Sequence, residues 1–183
     1  MLAMLVDNPF DDKAWVFETK WDGFRLITEK SGDRLRLWSR NGIDVTKRYA
    51  VLLPALQKIE GSCVIDGELC ALDAQGRSRF QLLQNALNKK ARLLYVVFDA
   101  LFVPGKDIRE KPLLERKEIL KALLPSDPLV RYSESVADGL FPSLGVRPNS
   151  PSGRVKARCG ILPSLGCAST KRRWTSSASK HEV

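Results

Sequence analysis

The run Leu93-Leu-Tyr-Val-Val-Phe-Asp-Ala-Leu-Phe-Val103 constrains this chain more than any other stretch. A strand with one wet face alternates apolar and polar residues. This run is nearly continuous, with Asp99 as its one charged member, as expected of a strand covered on both faces. The rest of the chain must then supply a layer on each side of it. The run is too short to span a bilayer, which takes about 20 apolar residues.

The flanking segments have the patterns to supply those layers. Residues 15–20 interleave aromatic and β-branched residues with polar ones, as a strand does. Asp22-Gly23 is a turn signal, so residues 24–29 are expected to return as a hairpin partner. Residues 34–38 alternate cleanly before a second tight turn at Asn41-Gly42. Residues 49–59 predict a helix, with Pro54 limiting where its interior begins. Cys63–Leu72 predicts a strand broken at Asp66-Gly67, followed by a turn at Asp73-Ala-Gln-Gly76. Residues 80–87 put Phe80, Leu83 and Leu87 on one helical face. Residues 113–124 predict a helix with Ile119, Leu120, Leu123 and Leu124 on its apolar side, Pro112 in its first turn and Pro125 past its end. Hairpins mixed with helices, without a βαβ repeat, make the fold class α+β: antiparallel sheets with flanking helices.

The formal charge of the 183 residues is +9, which suggests an anionic partner. That charge is unevenly spread. Residues 140–183 hold eight Lys/Arg and one acid, +7, against +2 for everything before them. This tail is rich in serine and proline, has no sustained apolar period and is expected to be disordered. The four cysteines, Cys63, Cys70, Cys159 and Cys167, form no Cys-x-x-Cys pair, and His181 is the lone histidine. Zinc-site spacing is therefore absent and reduced thiols are expected. The first residues lack the basic region and apolar length of a signal peptide, so a cytoplasmic protein without a membrane partner is expected.

The segment Glu18-Thr-Lys20-Trp-Asp22-Gly23-Phe-Arg25 carries the chemistry. On a strand, even spacing shares a face, so Glu18, Lys20 and Asp22 are expected to point into one cleft. A lysine amine is a nucleophile only when neutral, so burial or nearby cations must lower its pKa from about 10.4. Arg25 is a permanent cation and a fork for phosphate. Gly23 lets backbone or ligand approach closely. Taken alone, the segment also reads as a hairpin whose Asp-Gly turn follows a lysine.

The same segment matches the signature Lys-x-Asp-Gly-x-Arg and so resembles the covalent nucleotidyltransferases: DNA ligases, RNA ligases and mRNA capping enzymes. Further segments follow in that family's order. Ser39-Arg40-Asn41-Gly42 resembles the ligase segment whose arginine contacts the sugar and the 5′-phosphate of a nick. Val64-Ile-Asp66-Gly67-Glu68-Leu69 resembles the segment whose glutamate meets the ribose or a metal. Tyr95-Val-Val-Phe98-Asp99-Ala-Leu101 resembles the one whose ring stacks on adenine, although Phe98 by itself reads as core. Pro112-Leu-Leu-Glu-Arg116-Lys resembles the helix that follows in bacterial ligases. The wording is similar to the ligase domain of the bacterial ligase D family, which seals breaks in non-homologous end joining.

The resemblance implies an incomplete ATP-grasp-like nucleotidyltransferase domain over residues 1–139. It implies ATP as cofactor, with Mg²⁺ or Mn²⁺, and nicked or broken double-stranded DNA as partner. End-joining proteins are further expected partners, in a bacterial, nucleoid-associated setting. Lys20 is implied as the nucleophile and Glu18 as the reader of adenine, with Phe98 stacked on it. Asp22 and Gly23 belong to the nucleotide-binding segment. Arg25, Arg40 and Glu68 are implied to hold ribose and phosphates, with Glu68 also a metal ligand. The pattern stops after Gly139. A Glu-Gly-Ile-Val-Ala-Lys segment and a Lys-x-Lys strand are expected next and are not found; Val155-Lys156-Ala-Arg158 is a faint echo out of context. A missing or frame-shifted C-terminal part, and weak or no activity, are the corresponding expectations. Two alternatives stand beside a DNA ligase: an RNA ligase or capping-type enzyme, and a non-catalytic nucleic-acid-binding remnant that grips phosphates with its +7 tail.

Overall fold

The computed structural model describes residues 15–85, 92–137 and 155–159. Two sheets organise them. Strand β1 (Trp15–Thr19) lies between β8 (Ser135–Ala137) and β9 (Val155–Cys159), antiparallel to both. The larger sheet runs in the order β3 (Arg34–Ser39), β2 (Phe24–Ser31), β4 (Cys63–Leu72), β5 (Arg92–Val103) and β6 (Lys106–Asp107). Strand β7 (Val130–Tyr132) pairs with β5 in parallel, among the described strands the one departure from the antiparallel sheets expected.

The expected hairpin between residues 15–20 and 24–29 does not form. Strand β2 pairs with β3 and β4, while β1 belongs to the other sheet. Packing decides this locally. A Cβ on Gly23 would stand 2.1 Å from the Leu69 carbonyl oxygen, so the glycine lets the chain run hard against β4 instead of turning back. Gly23 is also not among the glycines with positive φ, which a hairpin turn of the Asp-Gly type requires. The Asn41-Gly42 and Asp73–Gly76 turns do form, with Gly42 at φ 75 and Gly76 at φ 76.

The apolar run becomes β5, buried over most of its length as expected. Strand β4 is continuous, not broken at Asp66-Gly67. Its ladder with β5 shifts register between Asp66 and Gly67, where the partners step from Asp99 to Val97 and skip Phe98. Phe98 is thus the extra residue of a β-bulge. Gly67 is a seat rather than a break. The Tyr95 ring lies over it, and a Cβ there would be 2.6 Å from that ring. Crossing Gly67 lets the Tyr95 hydroxyl donate to the Leu26 carbonyl at 2.8 Å and meet Thr28 Oγ1 at 3.2 Å. Burial pushes this phenol well above its usual pKa, so it stays a donor.

Residues 49–59 divide into a 3-10 turn (Ala50–Leu52) and helix α1 (Leu53–Gln57), with Pro54 in the first turn of α1, where its missing N–H is harmless. Helix α2 spans Phe80–Asn85, and the rest of the expected 80–87, Leu87 included, lies outside the described residues. Helix α3 (Leu113–Leu123) follows Pro112 and packs on β5. Leu120 is buried as expected, and Ile119, Leu123 and Leu124 pack against the main core. The same helix also buries Arg116 and Lys117. Disorder is expected over residues 140–183, but Val155–Cys159 form β9, held by its ladder to β1; the rest of that expectation lies outside the described residues. Among the described residues no helix is long and apolar enough to cross a membrane. Cys63 and Cys70 are both buried, and burial pushes the Cys63 thiol up to about 11.

Candidate active site

Alternation along β2 sends Leu26, Thr28 and Lys30 into the core and leaves Arg25, Ile27 and Glu29 on the other face. Register carries the pattern across the sheet: Arg25 stands opposite Glu68, and Ile27 opposite Asp66. On this second face Asp66 grips Arg25 as a fork. Arg25 Nε donates to Oδ1 at 3.0 Å, and its Nη2 meets Oδ2 in a still closer contact. Asp66 is 1% exposed, so this pair is largely withdrawn from water. The Arg25 guanidinium is held above its already high pKa. Burial works against the charge, but the Asp66 hydrogen bond and the fields of Asp66, Glu68 and Asp99 outweigh it. The guanidinium carbon lies 5.9 Å from the centre of the Phe98 ring, within cation–π range. Arg25, Glu68 and Phe98, read from three separate motifs, are therefore brought together.

Glu18 joins them through Lys117, the last residue of the segment Pro112-Leu-Leu-Glu-Arg116-Lys. Lys117 of α3 donates to Glu18 Oε1 at 2.5 Å, and both residues are 1% exposed. The same ammonium reaches the carbonyls of Ser133 at 2.9 Å and Phe98 at 3.4 Å. The strand that leads into Lys20 is thus fastened to the bulge that carries Phe98. Lys20 itself follows the last residue of β1 and is half-buried.

Asp22 and Gly23 stand at the crossover that follows Lys20. The Asp22 carboxylate accepts the Phe80 amide at the start of α2 at 3.1 Å, and its own amide donates to Ser78 Oγ at 3.0 Å. Together they fix the crossover between the sheets, just past Lys20. Arg40 is exposed in the turn after β3, beyond Ser39, whose register partner is Leu26. It therefore sits at the same end of the sheet as Arg25, on the rim.

Two partners were missed from sequence, Asp66 for Arg25 and Lys117 for Glu18. Asp66 carried a usable signal, since it lies two residues from Glu68 and shares its face. Lys117 stood in the segment read at 112–117, but nothing tied it to Glu18, 99 residues away. Asp99, likewise, is held by Arg116 at 2.8 and 3.0 Å. Among the described residues no three His, Cys, Asp or Glu side chains converge as a metal cage. Glu18, Asp66 and Asp99 each hold a cation, and Glu68, across the strand pair from Arg25, is a carboxylate of the kind that fits a metal carried in on nucleotide phosphates. Such a metal needs about one or two protein carboxylates.

An arginine fork, an acid and an aromatic ring set beside a lysine-bearing strand have the make-up of a nucleotide-binding site. The sequence matches the family model of the ATP dependent DNA ligase domain over residues 1–137, and the chain belongs to that family.

Among its relatives is the multifunctional non-homologous end joining protein LigD of Pseudomonas aeruginosa. It is 41% identical over 143 residues, which cover 75% of this chain and 17% of that protein. The SPbeta prophage-derived DNA ligase-like protein LigB of Bacillus subtilis is 32% identical, over 67% of this chain and 46% of that protein. Among solved structures, the ligase domain of Mycobacterium tuberculosis LigD matches with a TM-score of 0.62 at 31% identity. The match covers 72% of this chain and 44% of that one. A mycobacterial DNA ligase D complexed with ATP and MES matches with a TM-score of 0.61 at 30% identity, with the same coverage. The chain spans less than half the length of each of these relatives.

Proposed function

We propose that this chain forms the nucleotide-facing wall of an ATP-dependent DNA ligase adenylation site, with Lys20 as the residue that takes up AMP. The observation that carries the reading is the Arg25 fork, held by Asp66, with Glu68 across the strand pair and Phe98 under the guanidinium. A guanidinium fixed by a carboxylate on one edge suits a phosphate group on its other, an acid suits ribose hydroxyls, and a ring suits a base face. A relative of the same fold has been solved with ATP.

In the proposed reaction the neutral Lys20 amine attacks the α-phosphorus of ATP. A P–N bond forms, the P–O bond to pyrophosphate breaks, and the amine proton passes to solvent. AMP then moves from Lys20 to a DNA 5′-phosphate, and a 3′-hydroxyl displaces it to seal the strand. Mg²⁺ or Mn²⁺ would neutralise triphosphate charge, and Glu68 is the residue proposed to hold it. Glu18 and Phe98 set the adenine end, Arg25 and Glu68 hold ribose and phosphates, and Arg40 on the rim meets the sugar or the nick phosphate. Asp22 and Gly23 serve by fixing the crossover that presents Lys20. Nicked or broken double-stranded DNA in the bacterial cytoplasm is the proposed substrate, with end-joining proteins as partners and residues 1–139 as the partial domain.

The donors expected beyond Gly139 lack a counterpart of the family's wording, and losing one preorganised donor costs about 10²- to 10³-fold in rate. Slow self-adenylation and no nick sealing are therefore expected. Incubation with α-labelled ATP and Mg²⁺ should give a faint phosphoramidate adduct that disappears in Lys20→Ala. Preferential labelling from GTP would move the chain to the capping-type alternative. Failure of the wild-type chain to bind ATP at millimolar concentration would overturn the reading.

A further inference from the structure

The geometry points to Lys117 as a positioning residue of the nucleotide site, one that sets the Lys20 strand against the Phe98 bulge through a single buried ammonium. The inference rests on the nucleotide-binding reading above. Strand β1 pairs only with β8 and β9 among the described strands, so no backbone ladder joins it to the sheet that carries Arg25, Glu68 and Phe98. Beyond the crossover at Asp22 and the Ser133 amide, which donates to the Val97 carbonyl at 2.8 Å, side chains join the two. A lysine ammonium has three donors, and here three acceptors meet it: Glu18 Oε1 on β1, the Phe98 carbonyl on β5 and the Ser133 carbonyl just before β8. Two of these acceptors, Glu18 and Ser133, belong to or adjoin the small sheet; the third is the bulge residue itself. The Tyr132 ring, 4.8 Å away, closes the remaining side. A long and otherwise mobile side chain is thereby held at 1% exposure with every donor used.

Arg116, one residue earlier, is a control built into the same helix. It too is buried and pairs with a carboxylate, Asp99, but its other acceptors are the carbonyls of Arg109 and Lys111, ahead of α3. It does not reach β1. Removing either cation leaves a buried carboxylate unpaired and destabilises the fold. Only the loss of Lys117 should also let the two walls of the site drift apart, and a displacement of about 1 Å is enough to cost up to about 10²-fold in a site that depends on orientation.

The test is ATP binding by titration calorimetry on the full chain, at a temperature where circular dichroism shows each variant folded. Lys117→Met is expected to weaken ATP binding by about tenfold or more. Arg116→Met is expected to lower the unfolding midpoint while leaving ATP affinity unchanged. Lys117→Gln, which keeps an N–H for Glu18, is expected to fall between wild type and Lys117→Met, and it serves in place of Lys117→Met should that variant not fold. A folded Lys117 variant with wild-type affinity, or an equal loss in Arg116→Met, overturns the positioning role. A wild-type chain that binds no ATP overturns the nucleotide reading and the inference with it, which tells the two failures apart.

Discussion

On one face of the larger sheet Leu26, Ile65, Leu69, Tyr95 and Val97 are sealed into the main core, with Tyr95 threading across Gly67 to reach Thr28 and Leu26. On the other face the same strands present Arg25, Asp66 and Glu68, above a small apolar cluster of Cys70, Leu72, Leu94 and Val96 with Trp21 against it. The first face is held by volume and the second by pairing. Asp66 and Asp99 are register partners on adjacent strands, both withdrawn from water, and each is matched to its own arginine. Two buried carboxylates side by side would otherwise repel and take up protons. The fold on this side is thus stabilised by matched charges, while the core tolerates small losses of volume.

The comparison predicts an inverted order of mutational cost. Asp99→Asn changes no volume but leaves Arg116, 5% exposed, without its counter-charge. It should cost about 4 kcal/mol, as removing one partner of a buried pair does. Ile65→Val removes a methylene from the fully buried side and should cost about 1 kcal/mol. Chemical denaturation of the two variants tests this, and a larger loss for Ile65→Val would break the distinction between the faces.

Gly67→Ala sharpens the core side. Its new Cβ would stand 2.6 Å from both the Tyr95 ring and the Val96 carbonyl, so part of the clash is with backbone and cannot rotate away. A cost of about 3 kcal/mol is expected, near the upper end for overpacking. Tyr95→Phe keeps the ring and removes the hydroxyl, leaving the Leu26 carbonyl without that donor, and should cost about 1 to 2 kcal/mol. If Tyr95→Phe were the more damaging of the two, the ring would not be the reason for glycine at 67.

Much of this arrangement was legible in the chain and some was not, for identifiable reasons. The unbroken apolar run at 93–103 announced a strand buried on both faces, because burial writes itself directly into composition. The motif residues Arg25, Glu68 and Phe98 converge because each sits on a strand of one sheet. The hairpin read at Asp22-Gly23 failed because that signal is local, while the partner of β1 is decided by strands far along the chain and by the close approach of Gly23 to Leu69. The break read at Asp66-Gly67 failed for a related reason: the glycine answers to a ring 28 residues later. Buried cation pairs such as Glu18 with Lys117 leave no periodicity at all, since a lysine on a helix reads as a wet residue until its partner is known.

The smallest expected effect separates pairing from burial. Asp73, in the turn after β4, has more partners than Asp99. It accepts the amides of Gln75 and Arg77 at 3.0 and 2.9 Å and the guanidinium nitrogens of Arg77 and Arg79 at 2.9 and 3.2 Å. The Arg77 amide above all, then the Arg79 and Arg77 side chains, hold its carboxyl down at about 2. Because the folded value is depressed, whatever stability this carboxylate lends is complete above the ordinary value of about 3.9 and is lost as pH falls through the folded one. The turn, however, lies open to water, where ion pairs are screened. Asp73→Asn should therefore shift the unfolding midpoint less than Tyr95→Phe at neutral pH. Its only clear signature should be the disappearance of a carboxyl resonance titrating near 2. A loss as large as that of Asp99→Asn would mean that the count of partners, not their burial, sets the cost, and the contrast drawn between the cleft face and the core would have to be rebuilt on that basis.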